Sequence, residues 1–222
     1  MKPVDGAAFK IFGRSAIHRA AGDLASLGAP DLYYINFGDD VLKTLGEFAQ
    51  AIAAARSKAG LVLDMRGYPG VRHYTMMPYL FSEPFSSPMW GTPIRTLDES
   101  TVRDDTIRDM EALPTIAYKG PIVLLTQSWT VSAAETLCTM LTQAKRVKVI
   151  GHATAATNGN VSGVLLPGGF GFTFTNLIAK FLDGSTFHGV GIHPDIEVEP
   201  TAAELAAGHD PELERAITPL KP

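Results

Sequence analysis

A single cysteine among 222 residues, Cys138, excludes an internal disulfide framework and any metal site built from several thiolates. It lies in the apolar stretch 133–141, where a buried and inert thiol is the favoured reading. Long apolar runs are also missing. The densest, 61–63 and 122–125, fall far short of the roughly 20 residues that cross a bilayer, so no membrane span is expected. There is no basic stripe either: 19 lysines and arginines against 23 acidic residues give a net charge of −4, which argues against nucleic acid as a main partner. The opening residues, 1–6, carry no apolar core of a secretory signal. That fits a cytoplasmic protein, or a periplasmic or secreted one whose signal was trimmed, and the sequence leaves both open. What is present is 45% hydrophobic and only 19% charged residues, enough to build one core of ordinary size.

The pattern of those apolar residues implies an α/β fold. The segment 31–37 (DLYYINF) reads as a strand, and 41–58 follows with the three-four spacing of an amphipathic helix, capped by Asp39 or Asp40. A short apolar strand, 61–63, comes next, so strand, helix and buried strand form a parallel unit with covered faces. Two more buried strands are expected at 121–125 and 147–150, flanking a helix over 132–143. Between the strands 61–63 and 121–125, the segment 71–115 is interrupted by five prolines and is expected to be a long irregular excursion, a lid or an oligomer contact, with one helix over 101–113. Beyond Gly151 the texture turns to short hairpins marked by Asn158-Gly159, Pro167-Gly168-Gly169 and Asp183-Gly184, before a C-terminal helix over 202–217 interrupted near Gly208. Residues 1–30 stand apart as an N-terminal extension, with a short helix expected over 15–27, and 31–222 as the core.

Chemistry concentrates where the strand 121–125 meets the next helix. Ser132 opens that helix, and Glu135 follows three residues later, the spacing of a capping box. The same geometry suits a nucleophile, because unpaired N–H groups and the positive end of the helix dipole favour an alkoxide and a neighbouring oxyanion. Both readings stay open on spacing alone.

Four motifs in register carry a resemblance. Asp64-Met65-Arg66-Gly67-Tyr68-Pro69-Gly70 is similar to the Asp-x-Arg-x-Asn-x-Gly-Gly turn of the C-terminal-processing serine peptidases, the family of the tail-specific proteases and the tricorn core. Ser132-Ala133-Ala134-Glu135 resembles its Ser-x-x-Glu, the segment 151–160 its Gly-x-x-Thr-x-Gly, and Gly189-Val190-Gly191-Ile192-His193-Pro194-Asp195-Ile196 its closing Gly-x-Gly-Ile-x-Pro-Asp-Ile. The resemblance implies the α/β core shared with Clp proteases and crotonases, and a serine peptidase acting on peptides or proteins. It implies Ser132 as nucleophile and an oxyanion hole from the N–H of Ala133 with one from Gly67 or Gly70. Asp64 and Arg66 are expected to brace the turn. No cofactor or metal is implied, and a homo-oligomer is compatible.

The chain departs from the family in its base. Thr157 stands where the tail-specific branch has a catalytic lysine, and Asp5-Gly6-Ala7 lacks the histidine of the tricorn branch's Asp-Gly-His. The resemblance is therefore closest to the tricorn-like branch. Of the six histidines, His188 precedes Gly189 where that branch places an orienting acid, and an imidazole there can serve as base. His73, just after the glycine turn, is the other that can reach the cleft. Two further readings remain: a non-catalytic peptide-binding or assembly module of the same fold, and a crotonase-like acyl-CoA enzyme.

Overall fold

The computed structural model describes residues 19–98 and 101–220, without the side chains of 101–103. In chain order the elements are β1 (Gly22–Leu24), β2 (Ala29–Asn36), α1 (Leu45–Ala55), β3 (Gly60–Asp64), α2 (His73–Met76), β4 (Phe85–Ser86), β5 (Met89–Arg95), β6 (Thr101–Thr106) and β7 (Asp109–Met110). There follow β8 (Ile122–Thr126), α3 (Ala133–Gln143), β9 (Lys148–Gly151), β10 (Val161–Leu166), β11 (Phe170–Thr175), β12 (Ile178–Lys180), β13 (Ile196–Glu197), α4 (Ala202–Ala206) and α5 (Pro211–Ile217).

The main sheet has the order β1-β2-β3-β8-β9-β13, and every pair in it is parallel except β1 with β2. The apolar runs of β3 and β8 are explained by two covered faces. Leu61, Leu63, Ile122 and Leu124 point into one core with α1 and α3, while Val62, Val123 and Leu125 point into another with Leu213, Ala216 and Ile217 of α5. This is the mixed α/β core, with a mainly parallel sheet, that the sequence predicts.

Several expectations are corrected. Within 19–27 there is no α-helix: Gly22–Leu24 pairs as an edge strand and a 3-10 turn at Ala25–Leu27 follows, while residues 15–18 lie outside the described part. Helix α1 begins at Leu45, because Thr44 and Glu47 form a capping box that fixes the start four residues beyond the expected one. Among its described residues the excursion 71–115 carries four strands and the short α2, where an irregular course is expected. Thr101–Thr106 is a strand, not a helix, paired with β5, whose other side carries β12; β4 pairs with β7. Pro93 is tolerated in β5 because β12 covers only Met89–Gly91, so beyond them that edge needs no N–H. The excursion's aromatics pack down onto the core. Phe81 and Phe85 stack at 4.0 Å, Tyr79 meets Phe48 edge-on, and Tyr74 and Trp90 lie against the core.

Arg66 ties the end of β3 to the start of α5. Its buried guanidinium binds Asp64 (2.7 and 3.0 Å), Asp210 (2.7 and 2.9 Å) and Glu212 (2.5 Å), while Tyr34 donates its hydroxyl to Asp64 at 2.5 Å. Asp210 is also the N-cap of α5. The Arg66 charge holds Asp64 below its ordinary 3.8 in spite of complete burial. The lowered carboxyl adds stability above about its unfolded value, and this is lost as pH falls through the lower folded one. Arg66→Met should leave buried carboxylates unpaired and cost about 3–5 kcal/mol. Urea denaturation reads the loss, and early proteolysis within α5 should accompany it.

Candidate active site

Ser132 sits between β8 and α3 in a backbone conformation that L-residues rarely adopt, φ 57° and ψ −118°. Such a residue costs about 1–3 kcal/mol and persists only where its surroundings impose it. Glu135 does so. One carboxylate oxygen accepts from the N–H groups of Ser132 (3.1 Å) and Thr157 (3.2 Å), and the other from the Thr154 hydroxyl and the Ala156 N–H, both at 2.7 Å. Ala156 is itself at positive φ, 57°. One buried carboxylate therefore holds two strained residues on facing loops. Burial raises the acid above its usual range, and its four donors hold part of that rise back.

The spacing of the motifs follows from this network. Thr154 donates to Glu135 and accepts from the N–H of Ile192, whose carbonyl accepts from the Thr154 N–H. Gly191, at φ 67°, approaches Thr154 so closely that a Cβ there would lie 2.7 Å from its hydroxyl. Asp195 then clips the closing segment to β9 by accepting from Val149 N–H at 2.7 Å. On the other side, the Arg66 carbonyl accepts from the side chains of Gln127 and Trp129, and Thr130 donates to the Met65 carbonyl at 2.9 Å. The glycine turn is thereby fastened to the loop that presents Ser132.

Ser132 and Ala133 line a cleft of about 400 Å³ with Tyr68 of the glycine turn, His73, Tyr74, Trp90, Arg108, Asn158, Gly159 and Asn160 among its other walls. Of the sequence-expected residues, Ser132 and Ala133 face the cleft. Gly67 is buried in the turn. Gly70 donates its N–H to the Phe37 carbonyl at 3.1 Å, and a Cβ on it would meet the Leu42 carbonyl at 2.4 Å. Its N–H is thus committed within the fold. His188, half-buried, places Nε2 2.6 Å from the Asn158 carbonyl and therefore donates through it, leaving Nδ1 as the nitrogen that can accept. His188 does not line the cleft, whereas His73 does. Burial first, then the charges of Arg72 and Arg108, lowers His73 to about 4. The Arg108 guanidinium stands 4.6 Å over the Tyr74 ring.

Sequence reasoning did not find Arg108 or Asn158. Arg108 falls in the segment 101–113 expected as helix, and Asn158 belongs to a turn signal and to the 151–160 motif with no role of its own expected, although its amide hydrogen-bonds Thr136 on α3. Cys138 is fully buried as expected, and burial, with Glu135 nearby, raises its thiol. Among the described residues, one group has ligand-type atoms within 4.8 Å of one another, His152, Glu197 and Glu199, two of them exposed carboxylates. No described helix is long and apolar enough to cross a membrane.

Fold and site define a class: an α/β protein that presents a strained serine at a strand-to-helix turn, an arrangement that recurs among serine hydrolases. The family model of peptidase family S41 matches residues 31–198, and the chain belongs to that family. Solved structures share the fold. A Parabacteroides merdae ATCC 43184 protein taken to be a peptidase aligns at 17% identity with a TM-score of 0.74, over 91% of this chain and 64% of that one. Mature CPAF complexed with lactacystin aligns at 16% identity and TM-score 0.64, over 85% of this chain and 49% of that one. The tricorn protease gives 20% identity and TM-score 0.62, over 86% of this chain and 18% of its own. The chain thus spans less than two thirds of the length of each. No curated protein matches its sequence.

The Glu135 network predicts a specific loss. In Glu135→Gln an amide N–H₂ would face backbone N–H donors, so stability should drop by about 1–3 kcal/mol. Because burial raises Glu135, its contribution to stability is present below its unfolded pKa and lost as pH rises through the folded value. The variant should lose that component, as denaturation midpoints measured from pH 4 upward would show.

Proposed function

We propose that this chain is a peptidase core that cleaves peptides through an acyl-enzyme on Ser132. The observation that carries the reading is the strained Ser132 backbone, held by Glu135 at the wall of a cleft. Strain of this kind offers no advantage to a serine that merely caps its helix. Attack by the hydroxyl on a peptide carbonyl would generate an oxyanion beside the first turn of α3. The Ala133 N–H, which has no partner within the helix, is the nearer donor. With Gly70 committed to Phe37, Gly67 is the donor proposed from the glycine turn.

The base is proposed to be His73, because it is the histidine that lines the Ser132 cleft. It would take the hydroxyl proton directly or through one water and return it to the leaving amine. His188 would hold the Asn158 carbonyl in the cleft wall. The second reading makes His188 the base through Nδ1. A member of the fold without catalysis is the outcome if neither histidine matters and Ser132 does not react. Nothing in the cleft favours an acyl-CoA, since among the described residues Arg108 is the one lysine or arginine in its wall.

A fluorophosphonate probe tests the nucleophile by intact mass. Labelling should occur on the wild-type chain and vanish in Ser132→Ala with the fold retained. Labelling of Ser132→Ala, or none in the wild type, would overturn the proposal. His73→Ala should slow labelling about 10²–10⁴-fold and His188→Ala far less; the reverse order would assign the base to His188. Since His73 is lowered to about 4, its base form persists well below neutrality. The acid limb of the rate profile should fall near pH 4 and not near the ordinary histidine value of about 6.5.

A further inference from the structure

The hairpin of β10 and β11 pairs with no other strand among the described residues, so both its edges are open. From Val161 to Thr175 it carries no charged side chain. Its register puts Val164 opposite Phe172, Leu166 opposite Phe170 and Ser162 opposite Phe174, so that one face gathers five large apolar residues. These are exposed by 47% (Val164), 49% (Leu166), 71% (Phe170), 56% (Phe172) and 43% (Phe174), and the rings of Phe172 and Phe174 stack 5.9 Å apart. An isolated two-stranded hairpin is marginal in water, and uncharged open edges are what natural sheets avoid. This face is built to be covered.

We infer that it docks against the same face of a second copy of this chain, in a two-fold dimer. A surface free of charge meets itself without like-charge repulsion, which a self-complementary interface requires. The area is sufficient. At about 200 Å² for each fully exposed large side chain, the five residues offer roughly 500 Å² per copy. Two copies would bury about 1,000 Å², the size at which specific interfaces begin. The hairpin springs from Gly159 and Asn160 and returns through Leu177, all three in the wall of the Ser132 cleft. A dimer formed here stands at the cleft mouth, yet the inference does not depend on Ser132 being catalytic.

Sedimentation velocity of the full chain at up to about 100 μM should show a dimer. Phe172→Glu should raise its dissociation constant by at least about 100-fold, because it would bury an unpaired charge. The circular dichroism spectrum should stay unchanged, since the residue is exposed in the single chain. Phe172→Lys should likewise be monomeric, and an equimolar mixture of the two variants should recover a heterodimer. A wild-type chain that is monomeric throughout would overturn the inference. So would a dimer indifferent to both substitutions, which would place the contact elsewhere, or a hairpin protected from hydrogen exchange only when peptide is added, which would make substrate its occupant.

Discussion

Arg66 brings a guanidinium into the interior against three carboxylates, and the rest of the molecule is arranged around that necessity. Asp64 comes from the end of β3, whereas Asp210 and Glu212 come from the start of α5, some 145 residues later. A buried ion cluster of this kind is weak evidence for net stability, since desolvation offsets much of the attraction. What it provides is position. The charges tolerate no other arrangement, so the glycine turn, the C-terminal helix and Tyr34 on β2 are fixed together. Through its carbonyl, the same residue also anchors Gln127 and Trp129, and the loop before Ser132 is placed by the fold's least negotiable contact.

Glu135 repeats this logic at the site itself, with dipoles in place of a cation. A carboxylate within four donors replaces its lost hydration by fixed N–H and O–H groups, and the donors that satisfy it are drawn from the start of α3 and from the loop after β9. The capping box seen in the sequence is therefore only part of what Glu135 does. Its other partners, Thr154, Ala156 and Thr157, hold the facing loop at one distance from α3. Motifs that look independent along the chain are parts of one hydrogen-bonded unit.

The sheet was legible because parallel strands buried on both faces must be apolar at successive positions, as 61–63 and 122–125 are. The start of α3 was legible because Ser132 and Glu135 stand three apart. What escaped depended on tertiary context. Thr101–Thr106 mixes β-branched ends with three charged residues, a composition that a two-faced strand tolerates only because β5 offers a partner across an exposed sheet. Asp39 and Asp40 are as suitable for capping as Thr44, and only the reciprocal Glu47 decides between them. At the site, chain order points to His188 through its place in a motif, and topology also brings His73 to the cleft by folding α2 beside α3. The resemblance offers Gly70 as a donor alongside Gly67. The sequence could not show that the approach of Leu42 and Asp39 demands a glycine there for lack of room, with its N–H already given to Phe37.

The buried carboxyls respond to acid in opposite senses, even within the Arg66 cluster, where Asp64 is lowered and Glu212 raised. Asp64, lowered by Arg66, contributes stability that disappears as pH falls through its folded pKa. Glu135 and Glu212, both raised chiefly by burial, contribute stability that is present at low pH and fades as pH rises through theirs. Acidification therefore weakens the Arg66 brace while relieving the desolvated carboxyls, and the two effects partly cancel in the global stability. They do not cancel locally. Protonation turns Glu135 from an acceptor of four bonds into a group with a donor of its own among donors, so the strain at Ser132 loses part of its support although the fold does not. A global melting curve and a probe at Ser132 would then report different acid dependences, the difference arising because Asp64 braces β3 against α5 through Arg66 and Glu135 holds the serine.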